Sequence, residues 1–146
     1  MREESGDLSR DAGGRLRWGK RAAGVLIERD DTGEVLLLLR SRDVMDPGVW
    51  GIPGGRVEPG EGDLAAAMME TEEEVGPLPK LEVVGEHQAV SGGFTYITFH
   101  AVMVGRDAER FTPTLNWESE DWGWFPVSTP PRSTHPGALD VLGKIR

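Results

Sequence analysis

Two short apolar runs begin the regular pattern of this chain, "RAAGVLIE" from Arg21 and "EVLLLLR" from Glu34. Both are β-prone, and the link "RDDTG" carries the Asp and Gly of a tight turn. The pattern predicts a hairpin, Ala22–Glu28 with Glu34–Arg40. The second run is apolar on both faces, which places it centrally in a sheet. "DVMDPGVWGIPGG" then reads as a loop with a short extended piece around Trp50–Ile52. A helical period follows over Asp63–Val75. "LEVVGEHQAV" and "FTYITFHAVMV" return to strand. In the second, Thr95, Ile97, Phe99, Ala101 and Met103 alternate with Tyr96, Thr98, His100 and Val102. "RDAERFTPTLNWESE" reads as a long acidic loop, "DWGWFPV" as a short strand and "STPPRSTHPG" as a loop. Pro136, at a first helical position, starts a closing helix over Gly137–Ile145. Residues 1–17 mix charges with Gly and Ser without a period and are expected to form a flexible tail. Residues 18–146 are expected to form one domain. This order predicts an α+β domain with helices layered on a mixed sheet.

Composition narrows the setting. The 146 residues suffice for one domain with a real core. The chain has no cysteine, which excludes a disulfide framework, thiolate zinc sites and cysteine catalysis. No apolar run approaches the roughly 20 residues of a membrane span, and the N-terminus lacks a signal pattern. A cytoplasmic location with no membrane partner is expected. The net charge of −9 opposes binding of a nucleic-acid polymer, which relies on Lys and Arg to neutralise phosphates. A small phosphorylated ligand can still bind through a metal ion that bridges it to carboxylates.

The acidic stretch "GGRVEPGEGDLAAAMMETEEEVG", Gly54 to Gly76, changes the picture most. With Asp63–Val75 on a helix, Leu64, Ala67, Met68, Thr71 and Val75 form one stripe, expected to face the core. Glu70, Glu73 and Glu74 form an adjacent stripe at i, i+3 and i+4, where like charges repel. A polyvalent cation would relieve that repulsion, and an all-oxygen set suits Mg²⁺ or Mn²⁺ better than zinc. The bland alternative is a solvated acidic face. The upstream loop "GIPGGRVEPGE" favours a site, because its glycines allow close approach of backbone to a ligand and Glu61 precedes the helix.

The stretch resembles the signature of the Nudix hydrolases. Gly55 is followed by five residues and Glu61, seven more lead to position 69, and Glu70, Glu73, Glu74 and Gly76 follow at the family spacing. The resemblance implies an α/β/α sandwich with the signature helix and a C-terminal helix on a mixed sheet. It also implies hydrolysis of a nucleoside diphosphate linked to another group. Three positions depart from the pattern. Met69 stands where the motif has arginine, Thr71 takes an apolar position, and Pro77 takes the last apolar position. Thr71 is tolerable if its hydroxyl bonds back to a helical carbonyl. A thioether cannot make the forked hydrogen bonds of a guanidinium, so Met69 bears on activity.

Carried over by position, the resemblance implies metal ligation by Gly55, Glu61, Glu70, Glu73 and Glu74, with Glu70 and Glu73 also in catalysis. Mg²⁺ is the implied cofactor, with Mn²⁺ as an alternative. Glu118 and Glu120 are candidates for a further general base, against the reading that they are solvated loop acids. Arg40 and Arg42 are candidate phosphate contacts, and Phe94 and Tyr96 candidate stacking rings. The substrate expected is a nucleoside or deoxynucleoside triphosphate. The competing expectation is a catalytically weak domain that binds a nucleotide as a sensor. A homodimer is left open.

Overall fold

The computed structural model describes residues 8–10, 16–18 and 21–145. Most of the expected tail, residues 1–17, lies outside the described residues. Within it, β1 (Leu8–Arg10) and β2 (Leu16–Trp18) pair antiparallel as a ribbon of their own. The remaining strands are β3 (Arg21–Arg29), β4 (Val35–Arg40), β5 (Trp50–Gly51), β6 (Gly54–Arg56), β7 (Leu81–Ser91), β8 (Phe94–Met103) and β9 (Ser119–Phe125). They form one sheet in the order β5-β4-β3-β8-β7, with β6 on β3 and β9 on β4. β3 runs parallel to β8, and the other pairs are antiparallel, so the sheet is mixed as expected.

The helices are α1 (Asp63–Val75), α2 (Gly105–Arg110) and α3 (Pro136–Ile145). Alternation along β3 assigns them to opposite faces. Ala23, Val25 and Ile27 point to one side and join Ala66, Ala67 and Val75 of α1 in the larger core. Leu26 points to the other side and joins Val35, Leu37, Val141 and Leu142 under α3. Each such Val, Leu or Ile contributes about 1.5–3 kcal/mol on full burial. The architecture is therefore the α/β/α sandwich.

The predicted hairpin is present, with Gly33 at φ 74° in its turn, but its strands stay together only at the base. Glu28 and Val35 are the registered pair. Beyond it β6 takes the edge of β3 at Ala22–Gly24, while β5 and β9 pair with β4. The sheet thus splits into a wedge, and the site lies in the opening.

Two expectations of local structure need correction. The first part of the acidic loop is the short helix α2. Its Gly105 N–H donates to Asp30 Oδ1 (2.8 Å). Asp107 in the first turn and Arg110 in the last complement the helix dipole. In α1, Leu64 is 39% exposed and does not face the core, whereas Ala66 is fully buried. The buried arc is Ala66, Ala67, Glu70, Thr71, Glu74 and Val75, rotated towards the carboxylates. α1 ends at Gly76, whose positive φ of 88° lets its N–H donate to the Glu72 carbonyl before Pro77 is reached. No helix of the described residues is long and apolar enough to cross a membrane.

Candidate active site

The rotation of α1 is permitted by two missing side chains. Gly55 pairs with Ala23 on the α1 side of the sheet, and a Cβ there would overlap the Glu70 carboxyl group, 2.6 Å from its Cδ. Gly54, one residue earlier, donates its N–H to Glu74 Oε2 (3.3 Å). Both carboxylates are consequently drawn in against backbone, Glu70 at 8% and Glu74 at 7% exposure. Opposite them, Glu118 sits on a pinned loop. Its N–H donates to Asn116 Oδ1, Asn116 Nδ2 donates to Glu118 Oε1, and Ser41 holds the loop through the Glu118 and Trp117 carbonyls.

Glu74 and Glu118 line one pocket of about 160 Å³ with Gly54, Gly55, Arg40 and Tyr96. Burial is the main cause that pushes the Glu74 carboxyl up to about 9, and Glu118 and then Glu70 add to it. The Gly54 N–H and Arg40 act the other way. Excess buried negative charge of this kind is what a divalent cation neutralises, and the oxygen donors suit Mg²⁺ or Mn²⁺. Among the described residues, no three carboxylate or imidazole side chains converge as a ready-made chelate. One or two carboxylates, a carbonyl, waters and ligand phosphates are nevertheless the usual shell of Mg²⁺.

The acidic pocket adjoins a larger chamber of about 330 Å³, and Arg40, Gly51, Ile52 and Tyr96 border both. Phe94, Tyr96 and Thr98 of β8 and His87 and Gln88 of β7 form one side of the chamber. His135, Asp140, Val141 and Lys144, from α3 and its entry, form the other.

The predicted site residues divide accordingly. Gly55, Glu74, Glu118, Arg40, Phe94 and Tyr96 line the two spaces, and Glu70 lies directly beneath Gly55. Glu61 stays in the loop, where its Oε1 accepts the Glu58 N–H (2.7 Å). Glu73, Arg42 and Glu120 are exposed and line neither space. Thr71 is fully buried, but its hydroxyl finds no partner, so the expected bond to a helical carbonyl does not form. The position is packed for an apolar side chain.

Sequence reading missed His87, Asp140 and Lys144. The available signals were weak. Gly137, Asp140, Val141 and Lys144 recur at helical spacing, and His87 is in register with Thr98 across β7 and β8. Asp140 and Lys144 pair with each other (3.2 Å) at the chamber rim. His135 Nδ1 accepts the Gly137 N–H (3.0 Å).

This arrangement of glycine loop, acidic helix and split sheet has counterparts among known proteins. The NUDIX domain model matches residues 18–142, and the chain belongs to that family. It is 32% identical over 126 residues to a nucleoside triphosphate pyrophosphatase/Nudix hydrolase fusion protein of Bifidobacterium longum, covering 81% of this chain and 26% of that protein. It is 28% identical over 137 residues to a CMP-5'-(N-acetyl-N-hydroxy-3-aminopropyl)phosphonate hydrolase of Streptomyces rubellomurinus, covering 83% of this chain and 64% of that one. The chain therefore spans about a quarter and under two thirds of these relatives. In fold it is similar to RenU, a Nudix hydrolase of M. smegmatis, with a TM-score of 0.80 at 24% identity over 97% of this chain and 93% of that one. A C. elegans Ap4A hydrolase in a binary complex is 26% identical, with a TM-score of 0.69 over 85% of this chain and 94% of that one.

Proposed function

We propose that the chain is a Mg²⁺-dependent hydrolase of a phosphoanhydride bond in a nucleoside diphosphate linked to another group, with nucleoside or deoxynucleoside triphosphates as its substrates. The observation that carries this reading is the continuity of two unlike spaces. A buried acidic pocket opens into a mainly apolar chamber, and Arg40 stands between them. A polyphosphate ester has the same two ends. The chamber is at the small end of ligand sites, which run from about 300 to 1,000 Å³. That size suits one nucleoside better than two.

Glu70, Glu74 and the Gly55 carbonyl would hold the metal, with Mn²⁺ as an alternative to Mg²⁺. Glu73 and Glu61 are assigned to it by motif position alone. When bound, the metal supplies charge neutralisation at the phosphates and a more acidic water. The chain's own residues supply the rest. Arg40 would bind phosphate oxygens, and Phe94 would present a ring face to the base. Glu118, fixed by Asn116 and Ser41, would take the proton of the attacking water. Phosphoryl chemistry rests mainly on such positioning and electrostatics. Glu120 and Arg42 receive no support from their exposed positions.

The purified chain with Mg²⁺ and a panel of nucleotides, read by phosphate or pyrophosphate release, tests the reading. Release is expected to need the metal and to fall about 100-fold or more in Glu118→Gln. Absence of Mg²⁺-dependent release from every nucleotide would overturn it. Two observations favour the second reading, a nucleotide-binding sensor. Met69 replaces the motif arginine, and Glu73 faces solvent. A sensor binds nucleotide without releasing phosphate. The acidic, cysteine-free composition supports a cytoplasmic setting and a small nucleotide, rather than a polymer, as partner. Light scattering would separate a homodimer from a monomer.

A further inference from the structure

Tyr96 stands where the acidic pocket meets the apolar chamber and lines both. Its hydroxyl has an unusual seat. Gly24 and Gly54 are registered partners on β3 and β6. A Cβ on either glycine would come within 2.8 Å of the Tyr96 oxygen. The paired glycines therefore leave room for the hydroxyl at the crossing of three strands. No group among the described residues hydrogen-bonds to it. Tyr96 is half-buried, and a tyrosine hydroxyl in such a setting ordinarily finds a partner, from solvent or from a ligand. Here the oxygen borders a cavity in which the partner can be a ligand.

We propose that the Tyr96 hydroxyl is a phosphate-binding donor, which gives its hydrogen bond to a phosphoryl oxygen of the ligand at the junction of the two spaces. This goes beyond a stacking role for the ring and rests on the polyphosphate reading of the site. Such a bond to a charged oxygen is short and strong, and it reports where along the ligand the phosphates begin. Burial, and next the charge of Glu74, keep the phenol protonated well above its ordinary range. It thus stays a donor throughout the neutral and mildly alkaline range.

Tyr96 is the only tyrosine in the chain, so 3-fluorotyrosine labelling gives a single ¹⁹F resonance. Inorganic pyrophosphate with Mg²⁺ is the probe. The resonance is expected to shift on its addition, and Tyr96→Phe should weaken pyrophosphate binding about 10-fold or more at unchanged melting temperature. Where nucleotide turnover is measurable, kcat/KM should fall in parallel. An unmoved resonance, or wild-type affinity in Tyr96→Phe, would overturn the proposal. If the phenylalanine variant melts early, the resonance of the labelled wild-type chain decides alone. A shift with weakened pyrophosphate binding but no hydrolysis of any nucleotide would uphold the Tyr96 assignment and remove the hydrolase reading.

Discussion

Replacing Glu74 with glutamine should stabilise the metal-free chain at alkaline pH. Glu74 is 7% exposed, and its carboxyl is raised from 4.5 to about 9 by burial, Glu118 and Glu70. A raised carboxyl means that the folded chain holds a proton that the unfolded chain releases. Stability is then fully present below pH 4.5, declines as pH rises, and levels off above about 9. Each pH unit inside that window is worth at most about 1.4 kcal/mol. At pH 8 the limit is about 5 kcal/mol, and relaxation with water entry reduces it to about 2 kcal/mol. Glutamine keeps an acceptor for the Gly54 N–H and carries no charge. For a chain of this size the gain is a rise of about 4–8 °C in Tm. The assay is thermal melting in EDTA from pH 4.5 to 8, with and without Mg²⁺. The two chains should melt together at pH 4.5 and diverge towards pH 8. Mg²⁺ should stabilise the wild type and have little effect on the variant. A variant that melts at or below wild type at pH 8 in EDTA, or a difference that does not grow with pH, would refute the reasoning.

Thr71→Val should raise Tm, since the buried hydroxyl has no partner; removing it recovers about 1 kcal/mol of desolvation, or about 3 °C, and a lower Tm would mean the hydroxyl is satisfied in solution. Met69→Arg should raise kcat several-fold if the missing guanidinium limits activity, because the position is 44% exposed and has room for it. An unchanged kcat would point to Arg56, which is 8% exposed and paired with Glu58 (3.4 Å), as the loop's replacement support.

What could be read from the chain, and what could not, follows from the range of the interactions involved. Strand alternation and the spacing of Glu70, Glu73 and Glu74 are local properties, and β3, β4, β7, β8, β9, α1 and α3 lie close to where those patterns predict, whereas β6 forms in a stretch read as loop and β1 and β2 in or beside the expected tail. The phase of α1 is not local. An apolar pattern treats Leu64 as core and glutamates as solvent-facing. Gly54 and Gly55 reverse that by offering a bare backbone, to which Glu74 bonds and against which Glu70 packs. The same displacement separates Glu73, which remains outside, from two neighbours that share its spacing. The acidic loop hid α2 because that helix is started by Asp30, 75 residues away in sequence.

The chamber is less legible still, because one wall is the β7–β8 hairpin and the other comes from α3 and its entry, far apart in sequence, and the parallel pairing of β3 with β8 joins that hairpin to the rest of the sheet. Tyr96 illustrates the difference. On its strand it is one aromatic among alternating residues, and a stacking ring is the natural reading. The register of β3 with both β6 and β8 brings Gly24 and Gly54 under its hydroxyl. Neither glycine lies at a spacing that would connect it to Tyr96 in the sequence. The polar end of the side chain, rather than its ring, is then the part that the two glycines position. A tyrosine and two glycines that each look replaceable are therefore coupled. An alanine at Gly54 would have to displace both the Gly24 backbone and the Tyr96 oxygen. Tyr96→Phe leaves the strands alone, and so separates a phosphate-binding role from a structural one.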